Sequence, residues 1–193
     1  MQVIQYPHPT LRHVSKPLRR VDAALRQIIR EMFDVMYEAK GIGLAANQVD
    51  LPLRLFVVNL KGDPAASSEE RVYINPVIAN RRGQDEAEEG CLSLPGLYAE
   101  VRRPETVVVK AYDLSGNEIN QEAAGILGRV LQHETDHLDG VLFTDRLSET
   151  GRLSLKEELE EFETIYGGRR ERGEIPDDKT LRAQLAEWES RYC

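Results

Sequence analysis

Between Asp22 and Gly41, apolar residues recur every three or four positions, at Leu25, Ile28, Ile29, Met32, Phe33 and Met36. That spacing predicts a helix with one buried face, capped by Asp22 and stopped by Gly41. Residues 1–21, punctuated by prolines, predict mostly irregular chain. After the helix, Gly41 to Val49 is small and apolar apart from Asn47 and Gln48, with two glycines that let a backbone approach something closely. Residues 53–60 form an apolar run that predicts a buried strand, and 61–70 a polar loop. A second strand is expected over 71–80, broken by Pro76. Acidic residues crowd at Asp85, Glu86, Glu88 and Glu89, just before a loop from Gly90 to Gly96. Strands are expected over 99–103, 105–112 and 118–122, the last entered through the turn Ser115-Gly116-Asn117.

The pattern then returns to a helical period. Ile126, Val130, His133 and His137 share one face, and Leu127, Leu131 and Leu138 line the next. Only Arg129, Gln132, Asp136 and Asp139 remain as a polar strip, so this helix belongs in a core, and Gly140 closes it. From Ser148 the chain changes character. An acidic amphipathic helix is expected over 153–166, a charged loop over 167–178 and a second charged helix over 179–191. The expected organisation is a domain of residues 1–147 followed by a charged helical extension, 148–193, that stands in solvent.

A chain of 193 residues, 41% hydrophobic, is long enough for one globular domain with such an appendage. Its formal charge of −8 argues against a nonspecific nucleic-acid binder. The two cysteines, Cys91 and the terminal Cys193, make a poor disulfide framework. No run reaches membrane-spanning length and the start lacks a signal pattern, so a cytoplasmic protein without a membrane partner is expected.

The buried helix contains His133-Glu134-Thr135-Asp136-His137. Two imidazoles four residues apart on one helical face can grip one metal, with Glu134 placed to reach a water on it. Imidazoles and a carboxylate are costly in a core unless something binds them. A catalytic site of this kind takes a third protein ligand. The astacin-like continuation holds as far as Gly140 but puts Phe143 where a third histidine would stand. Glu157 or Glu158 fits the thermolysin-like spacing, and Cys91 is the upstream candidate. The Gly41–Gly43 stretch is no dinucleotide fingerprint, because a third glycine is missing and a helix precedes it.

Three stretches together resemble the peptide deformylase family: Gly41-Ile42-Gly43-Leu44-Ala45-Ala46-Asn47-Gln48, Glu89-Gly90-Cys91-Leu92-Ser93 and Gln132-His133-Glu134-Thr135-Asp136-His137. The opening Tyr6-Pro7-His8-Pro9-Thr10-Leu11-Arg12 is similar too, and the resemblance covers roughly residues 3–147. It implies an α+β fold with a central metal-binding helix surrounded by antiparallel β-sheets, an N-terminal helix and a C-terminal helical tail. It also implies Cys91, His133 and His137 as ligands of one divalent ion. Fe2+ is the expected ion, and Zn2+, Ni2+ or Co2+ can replace it. The implied activity is hydrolysis of the N-formyl group from the formylmethionine of new polypeptides, releasing formate. In that chemistry a metal-held hydroxide attacks the formyl carbon, Glu134 shuttles the proton, and Gln48 with the Leu92 N–H stabilises the oxyanion. Ile42, Gly43 and Gly90 would pair with the peptide backbone. Ile42, Ile126, Val130 and the flank of His133 would form the methionine pocket. Glu89, paired with Arg103, would stand behind the ligands. Some relatives carry a substrate-binding arginine where this chain has Tyr98. The family's ribosome docking uses a basic C-terminal helix, and here Arg169, Arg170 and Arg172 are the only dense basic cluster.

Overall fold

The strand β2 (Leu55–Val58) is apolar at every position because both of its faces are buried. A computed structural model describes residues 1–193, and in it Leu55 and Val57 face one core while Phe56 and Val58 face another. The first core is closed by α1 (Ala23–Glu38), through Leu25, Ile29, Met32, Phe33 and Met36. Its start is fixed as the sequence implies, with the Leu25 N–H donating to Asp22 Oδ1 at 2.8 Å. The second core is closed by α2 (Gly125–Leu138), through Val130, Leu131 and Leu138.

Between these helices lies a five-stranded antiparallel sheet. Its order is β1 (Gly43–Ala45), β2, β3 (Arg71–Arg82), β6 (Thr106–Tyr112) and β7 (Glu118–Ala124). A separate hairpin of β4 (Asp85–Cys91) and β5 (Leu94–Arg103) packs over a third core that includes Cys91, Leu97, Val101 and Phe143. The fold is therefore a mixture of helices and antiparallel sheet, with α2 held between the main sheet and the hairpin side of the molecule.

The structure corrects or completes the sequence reading at five places. The acidic stretch, given no element from the sequence, is the strand β4, and the expected loop from Gly90 to Gly96 is mostly strand, with β4 running to Cys91 and β5 starting at Leu94 rather than 99. Pro76 does not break β3; the strand runs through it with an irregular register between Ile74 and Val77, beside Asn75 at φ 52°. Gly41–Val49 is ordered into β1 and a 3-10 turn, Ala46–Val49. The single helix expected over 153–166 is two: α3 (Glu149–Ser154) and α4 (Lys156–Glu171).

The terminal helices also pack down rather than standing off in solvent. Leu155 is buried in the third core, with Leu159 and Phe162 packed against it. From α5 (Asp178–Tyr192), Tyr192 is buried in the first core, and its hydroxyl donates to Asp22 at 3.2 Å. The apolar positions of these helices are few, which is why their charge dominated the sequence pattern.

Candidate metal centre

One turn of α2 brings His133 and His137 together, and Cys91 reaches them from the end of β4. Cys91 Sγ lies 3.3 Å from His137 Nε2, which lies 3.2 Å from His133 Nε2. All three donor atoms fall within 4.8 Å of one another. Donors about 2.0–2.3 Å from a tetrahedral ion sit roughly 3.3–3.6 Å apart, so the triangle has the size that such an ion needs. Burial opposes a charged His133, yet its contacts with Cys91 and Glu89 outweigh this, and its pKa is pushed up to about 10. Burial and the neighbouring His133 instead hold His137 well below the usual imidazole range, so it stays neutral, and a thiol with two imidazoles suits a divalent transition metal.

Glu134 is buried beside this group, and its Oε2 has no hydrogen-bond partner. Burial is the main cause that lifts its carboxyl to about 7, against the opposing pull of His133 and the Ala45 N–H. Gly43 makes the space for it: a Cβ there would stand 2.5 Å from Glu134 Oε1.

Behind His133, Nδ1 meets Glu89 Oε2 at 3.0 Å. Burial would raise the Glu89 carboxyl, but the bonds from His133 and Arg103 hold it well below the ordinary carboxylate range. Arg103 grips Glu89 through Nε at 2.5 Å and Nη2 at 2.9 Å, and also donates to Asp136 at 2.8 Å. Arg129 adds a bond to Glu89 at 2.7 Å, and Arg146 pairs with Asp136.

Gln48 approaches from the 3-10 turn after β1. Its Oε1 accepts the Ala45 N–H at 2.8 Å, which turns Nε2 toward Cys91 Sγ at 3.5 Å and Ser93 Oγ at 3.3 Å. Leu92 follows Cys91 on the rim. Gln48, Cys91, Leu92, His133 and Glu134 line a cavity of about 780 Å³, together with Ile42, Gly90, Ile126 and Val130. Val130 is buried, whereas Ile126 on the first turn of α2 is 60% exposed at the mouth. The exposed Tyr98 ring lies over Gly90, where a Cβ would meet it at 2.6 Å.

Neither Phe143, which offers no donor atom, nor the two glutamate candidates supplies a third ligand. Phe143 is buried with its ring nearly parallel to that of His133, centroids 6.5 Å apart. Glu157 and Glu158 are exposed on α4 and belong to no metal-sized group. Sequence reasoning missed Ser93, Arg129, Asp136 and Arg146. Asp136 carried a signal, since a carboxylate on a helix already read as buried requires a cationic partner.

A family model described as polypeptide deformylase matches residues 1–153. The chain belongs to the peptide deformylase family. Peptide deformylases are metal-dependent enzymes, and this chain has a Cys/His/His group that could hold the metal. A peptide deformylase from Rhodopirellula baltica is 53% identical over 192 residues, covering 100% of this chain and 95% of the relative. One from Chromobacterium violaceum is 47% identical over 163 residues, 84% of this chain and 96% of its own. Among solved structures, peptide deformylase 1B from Arabidopsis thaliana superposes with a TM-score of 0.84 at 40% identity, covering 92% of this chain and 97% of that one. No helix of the chain is long and apolar enough to cross a membrane.

Proposed function

We propose that this chain removes the formyl group from the N-terminal formylmethionine of newly made polypeptides and releases formate. The observation that carries the reading is the meeting of Cys91, His133 and His137 with an unpartnered Glu134 oxygen in one cleft. A divalent ion on those three residues supplies Lewis-acid activation of water and of a carbonyl oxygen. Glu134 takes the proton of the attacking water and delivers it to the departing amine. The Gln48 amide and the Leu92 N–H donate to the oxygen on which charge develops. Gln48 is already turned for this by Ala45 and Ser93, so little reorganisation is required.

The peptide lies as an added strand against Ile42, Gly43 and Gly90. β1 is an edge strand, and the Asn59 N–H donates to Ile42 O at 3.0 Å. Antiparallel alternation then turns the Gly43 polar groups away from β2, free to bond a substrate. The methionine side chain enters between Ile42, Ile126, Val130 and the flank of His133. Glu89, held by Arg103, fixes the His133 ring through Nδ1.

On this reading residues 1–147 form the catalytic domain and 148–193 an extension. Fe2+ is the ion we assign, with Zn2+, Ni2+ or Co2+ as replacements, and an iron–thiolate pair is open to oxidation. Anaerobic purification followed by elemental analysis tests that assignment. The partner is the formylated nascent peptide. Ribosome docking has weaker support, because Arg169 and Arg172 pair with Glu174 and Arg170 with Asp178.

The test of the activity is formate release from formyl-Met-Ala-Ser by the metal-loaded protein. Glu134→Ala should retain its metal and lose about 10²–10⁴ in rate. Turnover by that variant near the wild-type rate would refute the proton shuttle.

A further inference from the structure

A second cavity of about 330 Å³ opens between the N-terminal segment and α4, a size at the lower end of ligand pockets. His8, Tyr166 and Arg169 contribute its polar wall, with Val3, Ile4 and Phe162 among its apolar lining. His8 is only 6% exposed, and its Nδ1 accepts the Thr10 N–H at 3.3 Å. A neutral ring bonded in this way carries its proton on Nε2, which has no protein partner, while Nδ1 also lies 3.8 Å from Asp50 Oδ1. Burial favours this neutral ring, lowering its pKa. The Tyr166 hydroxyl is buried beside the Arg170 guanidinium, toward which its oxygen can only accept, and no acceptor lies within reach of its O–H; its ring stands edge-on to His8 with centroids 6.2 Å apart. Its neighbour Arg170 is committed to Pro176 O and Asp178, each at 2.8 Å. Arg169 uses only Nε, toward Glu174 at 3.2 Å, which leaves both Nη groups free.

The carboxylates in the same wall are already engaged. Asp50 accepts from the Thr10 hydroxyl, and Glu174 accepts from Arg169 and Arg172. What remains beside an apolar lining is one buried O–H, on Tyr166, with the His8 Nε2 and the Arg169 Nη groups next to it as donors that an acceptor would satisfy together. We propose that this cavity is a binding site for a small organic carboxylate. Its anionic head meets His8 Nε2, the Tyr166 hydroxyl and Arg169, and its hydrocarbon part rests on Val3, Ile4 and Phe162. This site is separate from the metal ligands and takes no part in the deformylation chemistry.

The test is an amide-resolved NMR titration of the full-length, zinc-loaded protein with butyrate, and separately with butyramide, which has the same shape without the charge. Butyrate should shift the amides of His8, Tyr166 and Arg169 saturably, and butyramide should leave them in place. Arg169→Gln and Tyr166→Phe should each weaken butyrate binding at least threefold. The Arg169 side chain is 39% exposed, so its replacement removes the charge without opening a core. The proposal is overturned if the shifts are confined to residues around Cys91 and His133. Equal binding of butyramide, or unchanged affinity in both variants, overturns it as well.

Discussion

Two helices of similar length treat charge in opposite ways. On α2, Gln132, Glu134, Asp136 and His137 are all buried. On α4, which carries more acids, no residue is buried. Water solvates the acids of α4, and its ion pairs, such as Lys156 with Glu160, contribute little. A buried charge on α2 must instead be matched by the protein. Arg103 and Arg146 match Asp136, whereas Glu134 keeps one oxygen unmatched. The number of charges on a helix therefore says little about chemistry. The buried group that the fold leaves unmatched says more.

The largest test of this contrast is Cys91→Ser, which removes the only sulfur from the α2 side. Metal affinity should fall by more than the roughly 10–100-fold that loss of an outer partner costs, and formate release should fall with it. Elemental analysis after dialysis and a formate assay measure both. Full metal retention would place the ion elsewhere and dissolve the distinction between the two helices. Next comes Gln48→Ala. It should lower kcat by roughly 10²–10³ while the metal content stays constant, since the amide acts only on developing charge. A loss of metal equal to that of Cys91→Ser would mean that Gln48 has a structural role instead.

How much of this was legible depends on the range of the interactions. α1, β2 and the histidine face of α2 were legible because each is encoded by a local period. β4 was not, since glutamate and aspartate are poor strand formers and its pairing is non-local. Two of its four acids stand opposite basic residues of β5, Asp85 across from Arg103 and Glu86 from Arg102, while Glu88 faces Glu100 and Glu89 faces Ala99, a register invisible in either strand alone. From the residues themselves Cys91 was one of three choices for the third ligand, and only the resemblance singled it out. Glu89 and Arg103 were paired from the same source. Arg129 and Arg146 were missed because nothing local marks an arginine whose partner is 40 or 10 residues away.

A smaller effect is expected from Arg103→Met, which sharpens the matching argument. Breaking a buried pair costs about 3–5 kcal/mol, and Arg129 and Arg146 should keep this loss toward the lower end. Urea denaturation measures it. The sign with pH also follows. The folded Glu89 carboxyl lies below its ordinary 4.5, so its contribution is full above that value and drains away as the pH falls. Arg103→Met should flatten this acid dependence. An unchanged slope would mean that Arg103 does not hold the carboxylate.

The smallest expected effect is on α4, and it completes the comparison. Glu157 and Glu158 stand at a spacing from His137 that could have made either a metal ligand, yet both are exposed and neither has an ion-pair partner. Exposed substitutions away from such features change stability by about 0.5 kcal/mol or less. Glu157→Gln and Glu158→Gln, singly and together, should therefore leave metal content and formate release at wild-type levels. A double variant that lost metal would show that α4 can swing its first turn into the cleft. The sulfur at Cys91 would then compete with a carboxylate for the ion, and the charge on the two helices would no longer be separable by burial.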